Sequence, residues 1–188
     1  MKRKTWLALL MCALLTMMMT GCSTGGANGS SGANAEDGAS EQIANPVVEY
    51  DSLAAAEKAA GFSFTVPEGV VIDEADYAQY YYSVISGDLL EVRYGTSGDE
   101  VCYMRKAAAQ AGVEDISGDY NVYDDVKTED IVLEDGRTAE VTLKGKDGSF
   151  YLATWQLKGT EDNGVWNYAI GTRALSEGDL LELVKMVE

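Results

Sequence analysis

Asp119-Tyr120-Asn121-Val122-Tyr123-Asp124-Asp125 sets carboxylates and an amide at near-alternate positions. Hard cations such as Ca²⁺ collect about six to eight oxygens from groups of this kind, so Asp119, Asn121, Asp124 and Asp125 are candidate metal ligands. Two features of a calcium loop are missing: Asp124 stands where the sixth position needs glycine, and Asp130, not a bidentate glutamate, stands at the twelfth. A solvated acidic turn is the competing reading. Tyr77, Tyr80, Tyr81 and Tyr82 form the most unusual run in the chain. On a regular strand Tyr80 and Tyr82 face one way and Tyr77 and Tyr81 the other, so one pair is expected at the surface, where tyrosine offers broad apolar area and a hydroxyl at small entropic cost. These four are the candidate binding residues, with core packing on one face as the alternative. Arg105-Lys106, followed by Asp115 and Asp119, suggests charges at strand ends that orient a ligand or, more simply, one another.

The chain has no histidine, which removes Ser-His and Cys-His pairs, imidazole metal ligands and the usual proton shuttle. Carboxylate pairs and an activated lysine are what remain for catalysis. With 31 Asp and Glu, no spacing selects two whose pKa values would be driven apart, so no catalytic residue and no cofactor is assigned. The formal charge of −17 argues against nucleic acid, whose phosphates need a basic face, and leaves cationic partners open.

These groups must be carried by something, and the first segment is for transport rather than structure. Lys2, Arg3 and Lys4 precede an apolar run from Trp6 to Met19, the pattern of an export signal over residues 1–21 and too short for a span, which needs about 20 residues. Met19-Thr20-Gly21-Cys22 is similar to the lipobox of bacterial lipoproteins, which implies acylation of Cys22 and, after cleavage, a membrane anchor without a membrane-spanning helix. Two or more acyl chains hold a protein on a bilayer where one is marginal. Loss of three leader cations makes the exported part still more acidic. Residues 22–44 hold that cysteine and a Ser, Gly, Ala and Asn tether with no aromatic residue, a composition that cannot build a core. Cys12 leaves with the signal and Cys22 is the lipid site, so Cys102 is a lone, buried structural thiol.

One domain is expected over residues 45–188. Asp51 or Ser52 caps a short helix with Leu53, Ala56 and Ala60 on one face and Gly61 at its left-handed end. Phe62 to Val66 reads as extended, before a Pro67-Glu68-Gly69 turn. Leu90, Val92 and Tyr94 alternate with Glu91 and Arg93, and Ser97-Gly98-Asp99 turns the chain into Val101–Met104. Asp135-Gly136 and Asp147-Gly148 are strong hairpin signals between Ile131–Leu133, Ala139–Leu143 and Phe150–Leu157. Tyr151, Ala153, Trp155 and Leu157 are expected on one face, packing against Trp166, Tyr168 and Ile170 beyond a Glu161–Gly164 turn. The Ala-rich residues between Lys106 and Asp115 read as helix-like. Finally, Ser176 and Asp179 cap a helix whose Leu180, Leu183, Val184 and Val187 cover the sheet. The fold class is α+β: an antiparallel sheet, a meander of hairpins, packed by an N-terminal and a C-terminal helix.

Asn45-Pro46, Tyr50-Asp51-Ser52, the Ala55–Phe62 stretch, Arg105-Lys106-Ala107, Asp115–Asn121 and Leu152-Ala153-Thr154-Trp155 resemble a domain of unknown function in exported Gram-positive lipoproteins. Similar domains form the extracellular end of some anti-sigma-factor-like membrane proteins. The resemblance implies binding or sensing at the cell surface and transfers no site residue. The functional expectation is a lipid-anchored extracellular domain held to the bilayer through Cys22, with a surface protein, peptide or cation as partner. A carboxylate-dependent hydrolase and a carrier for apolar molecules are the alternatives.

Overall fold

The computed structural model describes residues 46–110, 115–159 and 164–188. The leader, Cys22, the tether, Asn45 and residues 161–163 of the last turn lie outside them. Among the described residues the fold is α+β, with nine antiparallel strands and two helices.

The chain opens with β1 (Val47–Tyr50) and α1 (Leu53–Ala60). Ser52 caps α1 by accepting a hydrogen bond from the Ala55 N–H at 3.3 Å, and Gly61, at φ +82°, closes it with its own N–H on the Glu57 carbonyl. That left-handed conformation is the one glycine adopts without a Cβ penalty. β2 (Gly69–Ile72), β3 (Ala75–Ile85), β4 (Leu89–Thr96) and β5 (Asp99–Ala108) follow as hairpins. After a long connection come β6 (Asp125–Val132), β7 (Thr138–Lys146), β8 (Ser149–Lys158), β9 (Val165–Leu175) and α2 (Glu177–Lys185). The strand order is β1-β3-β4-β5-β9-β8-β7-β6, with β2 added on β3. Two meanders, β3 to β5 and β6 to β9, are thus joined where the last strand pairs with β5. Asp147 and Gly148, both at positive φ, form the β7–β8 turn as their sequence demands.

One face of the sheet carries the core. Ala56 of α1 and Leu180, Leu183 and Val184 of α2 pack with Val187, Phe64 and the inward residues of β2 to β9. Ser176 caps α2 as expected by accepting from the Asp179 N–H, and it donates its hydroxyl to the Asp179 carboxylate. This side is filled with side chains from both helices, as the burial of an apolar sheet face requires.

Three local expectations are corrected. A β-bulge in the β3–β4 ladder between Gln79 and Tyr81 changes the parity of the strand. Tyr77 and Tyr82 therefore share the core face, while Tyr80 and Tyr81 turn to the other. Another irregularity, between Phe150 and Leu152 in the β8–β9 ladder, puts Phe150 rather than Tyr151 with Ala153, Trp155 and Leu157. Tyr151 stacks instead on Tyr123, ring centroids 6.1 Å apart. The Ala-rich segment contributes Ala107 and Ala108 to β5, because their partners Asn167 and Trp166 continue the β9 ladder; residues 111–114 lie outside the description. Phe62–Val66 joins no strand, although Thr65 exchanges two backbone hydrogen bonds with Glu188.

The opposite face is polar and is crossed by the β5–β6 connection. Ile116 fits against Ala107, Ala169 and Leu89. The Tyr103 ring lies directly over Gly171 and its hydroxyl donates to the Ser117 carbonyl at 3.1 Å. A methyl group at position 171 would occupy the space of that ring. Gly171→Ala is expected to lower stability by about 1–3 kcal/mol, the usual cost of overpacking; chemical denaturation of the two proteins measures it, and an unchanged midpoint would show that Tyr103 moves freely.

Candidate functional site

Adjacent cations on β5 leave the sheet in opposite directions. Cys102, Met104 and Lys106 share the core face, and Tyr103, Arg105 and Ala107 the polar one.

On the polar face Glu91 is fully buried between two guanidinium groups. Its Oε1 accepts from Arg93 Nε at 2.6 Å and its Oε2 from Arg105 Nε at 2.6 Å. Arg105 also donates to the carbonyls of Ile116 and Ser117 and lies over the Tyr103 ring, 4.6 Å from its centroid. Arg105 is thereby paired with Glu91, not with Asp115 or Asp119. A buried carboxylate is tolerated when paired and fully hydrogen-bonded in this way. Arg93 continues outward to Glu100 at 2.7 Å, and Glu100 accepts from the Tyr80 hydroxyl at 3.2 Å. Tyr81 lies beneath Arg93, whose guanidinium is 5.2 Å from the ring centroid. Burial, then Glu100, raises the Tyr80 pKa; burial, then Glu49, raises that of Tyr81. Of the four tyrosines, two thus belong to a surface ion-pair network and two to the core.

The acidic segment works mainly on its own backbone. Asp115 Oδ1 accepts from the Ser117 N–H, Ser117 Oγ from the Asp119 N–H and Asp119 Oδ1 from the Asn121 N–H, at 2.8, 3.1 and 2.8 Å. Asp119 Oδ2 accepts from the Tyr123 hydroxyl, and Asp125 Oδ2 from the Gly148 N–H at 3.0 Å. Burial opposes ionisation of Asp115, but hydrogen bonds from Lys144 and Ser117 outweigh it and hold the carboxyl below its ordinary range. Among the described residues no three Asp, Glu, Cys or His side chains converge as a metal site. Asp119, Asp124 and Asp125 are not brought together, and two of these carboxylates already serve as acceptors within the chain.

Lys106 has the opposite surroundings. It is 9% exposed, and its ammonium sits among three rings, 5.1 Å from the centroid of Trp166, 5.3 Å from Tyr168 and 5.9 Å from Phe64. Its one hydrogen bond within the described residues goes to the Ser63 carbonyl at 2.8 Å, and no described carboxylate lies within ion-pair reach. Ring faces attract a desolvated cation by about 2 kcal/mol, less than its lost hydration. Burial first, and Arg137 second, lower the Lys106 pKa to about 8, against the upward pull of Glu188 and Glu57.

Local structure explains how the walls are held. Glu57, one turn before the α1 terminus, accepts the Phe64 N–H at 2.8 Å, so the chain leaving Gly61 is fixed over Lys106. Phe62 packs on Trp166 with centroids 4.7 Å apart. Tyr168 stacks on Trp155 at 5.1 Å and 7°, and burial raises its pKa to about 12. Arg137, in the β6–β7 turn, pairs with Asp135, donates to the Lys158 carbonyl at 2.8 Å and approaches Glu188 at 4.0 Å. Phe62, Ser63, Lys106, Arg137, Trp166 and Tyr168 are among the residues that line an open cleft of about 510 Å³, the size range of small-molecule sites. Trp155 Nε1 is buried without a hydrogen-bond partner among the described residues. Cys102, by contrast, is sealed in the core with its thiol pKa pushed up by burial.

Sequence reasoning placed Lys106 in a structural ion pair and missed the cleft. The signal that identifies it is phase: Lys106 falls in step with Cys102 and Met104 on the inward face of an alternating strand.

Because the native pKa of Lys106, about 8, lies below its ordinary 10.5, the unfolded chain binds more protons between those values, and this group's penalty fades as pH rises through that window. Lys106→Met is expected to raise the thermal midpoint at pH 7 by about 5 °C, with the advantage shrinking as pH climbs from about 8 toward 10.5. Parallel melting curves of both proteins across that range check it; a constant difference would contradict the direction of the shift. No protein-family model, curated protein or solved structure matches this chain.

Proposed function

We propose that this protein is a lipid-anchored extracellular lipoprotein whose domain binds or senses a small molecule without transforming it. The observation that carries the binding part is the cleft around Lys106: a lysine only 9% exposed, partnered by rings and one carbonyl, borders an open cleft that sets Phe62, Trp166 and Tyr168 beside Ser63, Thr65, Arg137 and Glu188. A fold keeps a charged group in that state at a cost to its stability, and small-molecule sites are apolar clefts with a few converging polar groups. The anchoring part rests on the basic start, apolar run and Met19–Cys22 motif. No helix among the described residues is long and apolar enough to cross a membrane.

Both parts are open to test. Cys22→Ser is expected to move the protein from the membrane fraction to the medium, and mass spectrometry of the native N-terminus is expected to find acyl chains; a bare thiol or an unchanged membrane fraction would remove the anchor. A thermal-shift screen of the full-length protein against small molecules is expected to yield a saturable stabiliser whose effect disappears in Trp166→Ala. A screen with no such compound would end the binding reading.

A further inference from the structure

Lys106 stands ready for a negative charge that the fold itself does not bring into contact. Its desolvation has already occurred on folding, so a carboxylate arriving in the cleft gains a partner without stripping the lysine of water. The surroundings also restrict what that anion is. Glu57 of α1, Glu188 beyond α2 and the ammonium-facing Tyr168 of β9 all border Lys106, and Arg137 opposite is already paired with Asp135. A dianion would add like-charge repulsion against Glu188, Glu57 and Asp135, whereas a single negative charge finds one free ammonium. Beside that ammonium the apolar part of a largely polar lining is the Phe62–Trp166 pair, against which a flat apolar group can lie. A volume of about 510 Å³ admits a small molecule of this kind.

We propose that the cleft takes a small monocarboxylate with a flat apolar body, its carboxylate pairing with Lys106 and its body lying against Phe62 and Trp166. This rests on the reading of the cleft as the binding site and names the chemistry of what enters it. Binding is linked to protonation, because the carboxylate stabilises the ammonium form: near the Lys106 pKa of about 8 the complex takes up a fraction of a proton, and above it affinity falls about tenfold per pH unit.

The experiment is titration of the full-length protein with phenylacetate, benzyl alcohol, benzylamine and phenyl phosphate, followed by calorimetry and by tryptophan fluorescence. Phenylacetate is expected to bind saturably and more tightly than the other three, to weaken about tenfold between pH 7 and pH 9, and to lose at least tenfold in Lys106→Met, a variant whose melting curve verifies that it is folded. Arg137→Gln is expected to weaken binding less, since its charge is shared with Asp135. Saturable binding of benzyl alcohol or benzylamine equal to that of phenylacetate, abolished by Trp166→Ala, would overturn the carboxylate while leaving the cleft as a binding site. Phenylacetate binding undiminished in Lys106→Met, or absent up to about 10 mM, would overturn the proposal outright.

Discussion

The pairing of β9 with β5 fixes nearly everything else. It sets Arg105 opposite Ala169 and Lys106 opposite Tyr168, and because side chains alternate across a sheet, a slip of one residue would exchange the two faces. Arg105 would then enter the aromatic side and Lys106 the side of Glu91. The same ladder joins the two meanders into one sheet, so the core continuing under α1 and α2 and the cleft at its margin are consequences of one register.

Neighbouring cations are accommodated by opposite physical means. Arg105, with a planar fork of donors, satisfies a buried carboxylate and the carbonyls of a crossing loop at once, a geometry an ammonium cannot reproduce. Lys106, a compact charge on a flexible stem, is held by ring faces and a single carbonyl. Glu91 between two guanidinium groups is electrostatically closed, while Lys106 is open. Structural charge and available charge sit one residue apart in the chain.

What the sequence makes legible follows from how local each determinant is. Asp135-Gly136 and Asp147-Gly148 announce their turns because few residues accept positive φ, and Ser52 and Ser176 announce helix starts because the cap contacts lie within three residues. The tyrosine run is misread at one point: a bulge after Gln79 depends on the β4 partner strand, and it alone decides that Tyr77 rather than Tyr80 accompanies Tyr82. Tyr151 yields its place to Phe150 for the same reason. The cleft is less visible still, since Phe62, Lys106, Arg137 and Trp166 come from four separate stretches, and only the inward phase of Lys106 marks it. Asp119 and Asn121 look like ligands in one dimension because alternate polar residues serve cations and backbone amides equally well.

That last segment has a consequence for how the molecule meets others of its kind. A connection lying across a sheet can expose amides that another backbone can claim. Between residues 115 and 121 alternate side chains quench those donors from within. Three amides of the crossing, those of Ser117, Asp119 and Asn121, are thereby closed to any competing backbone.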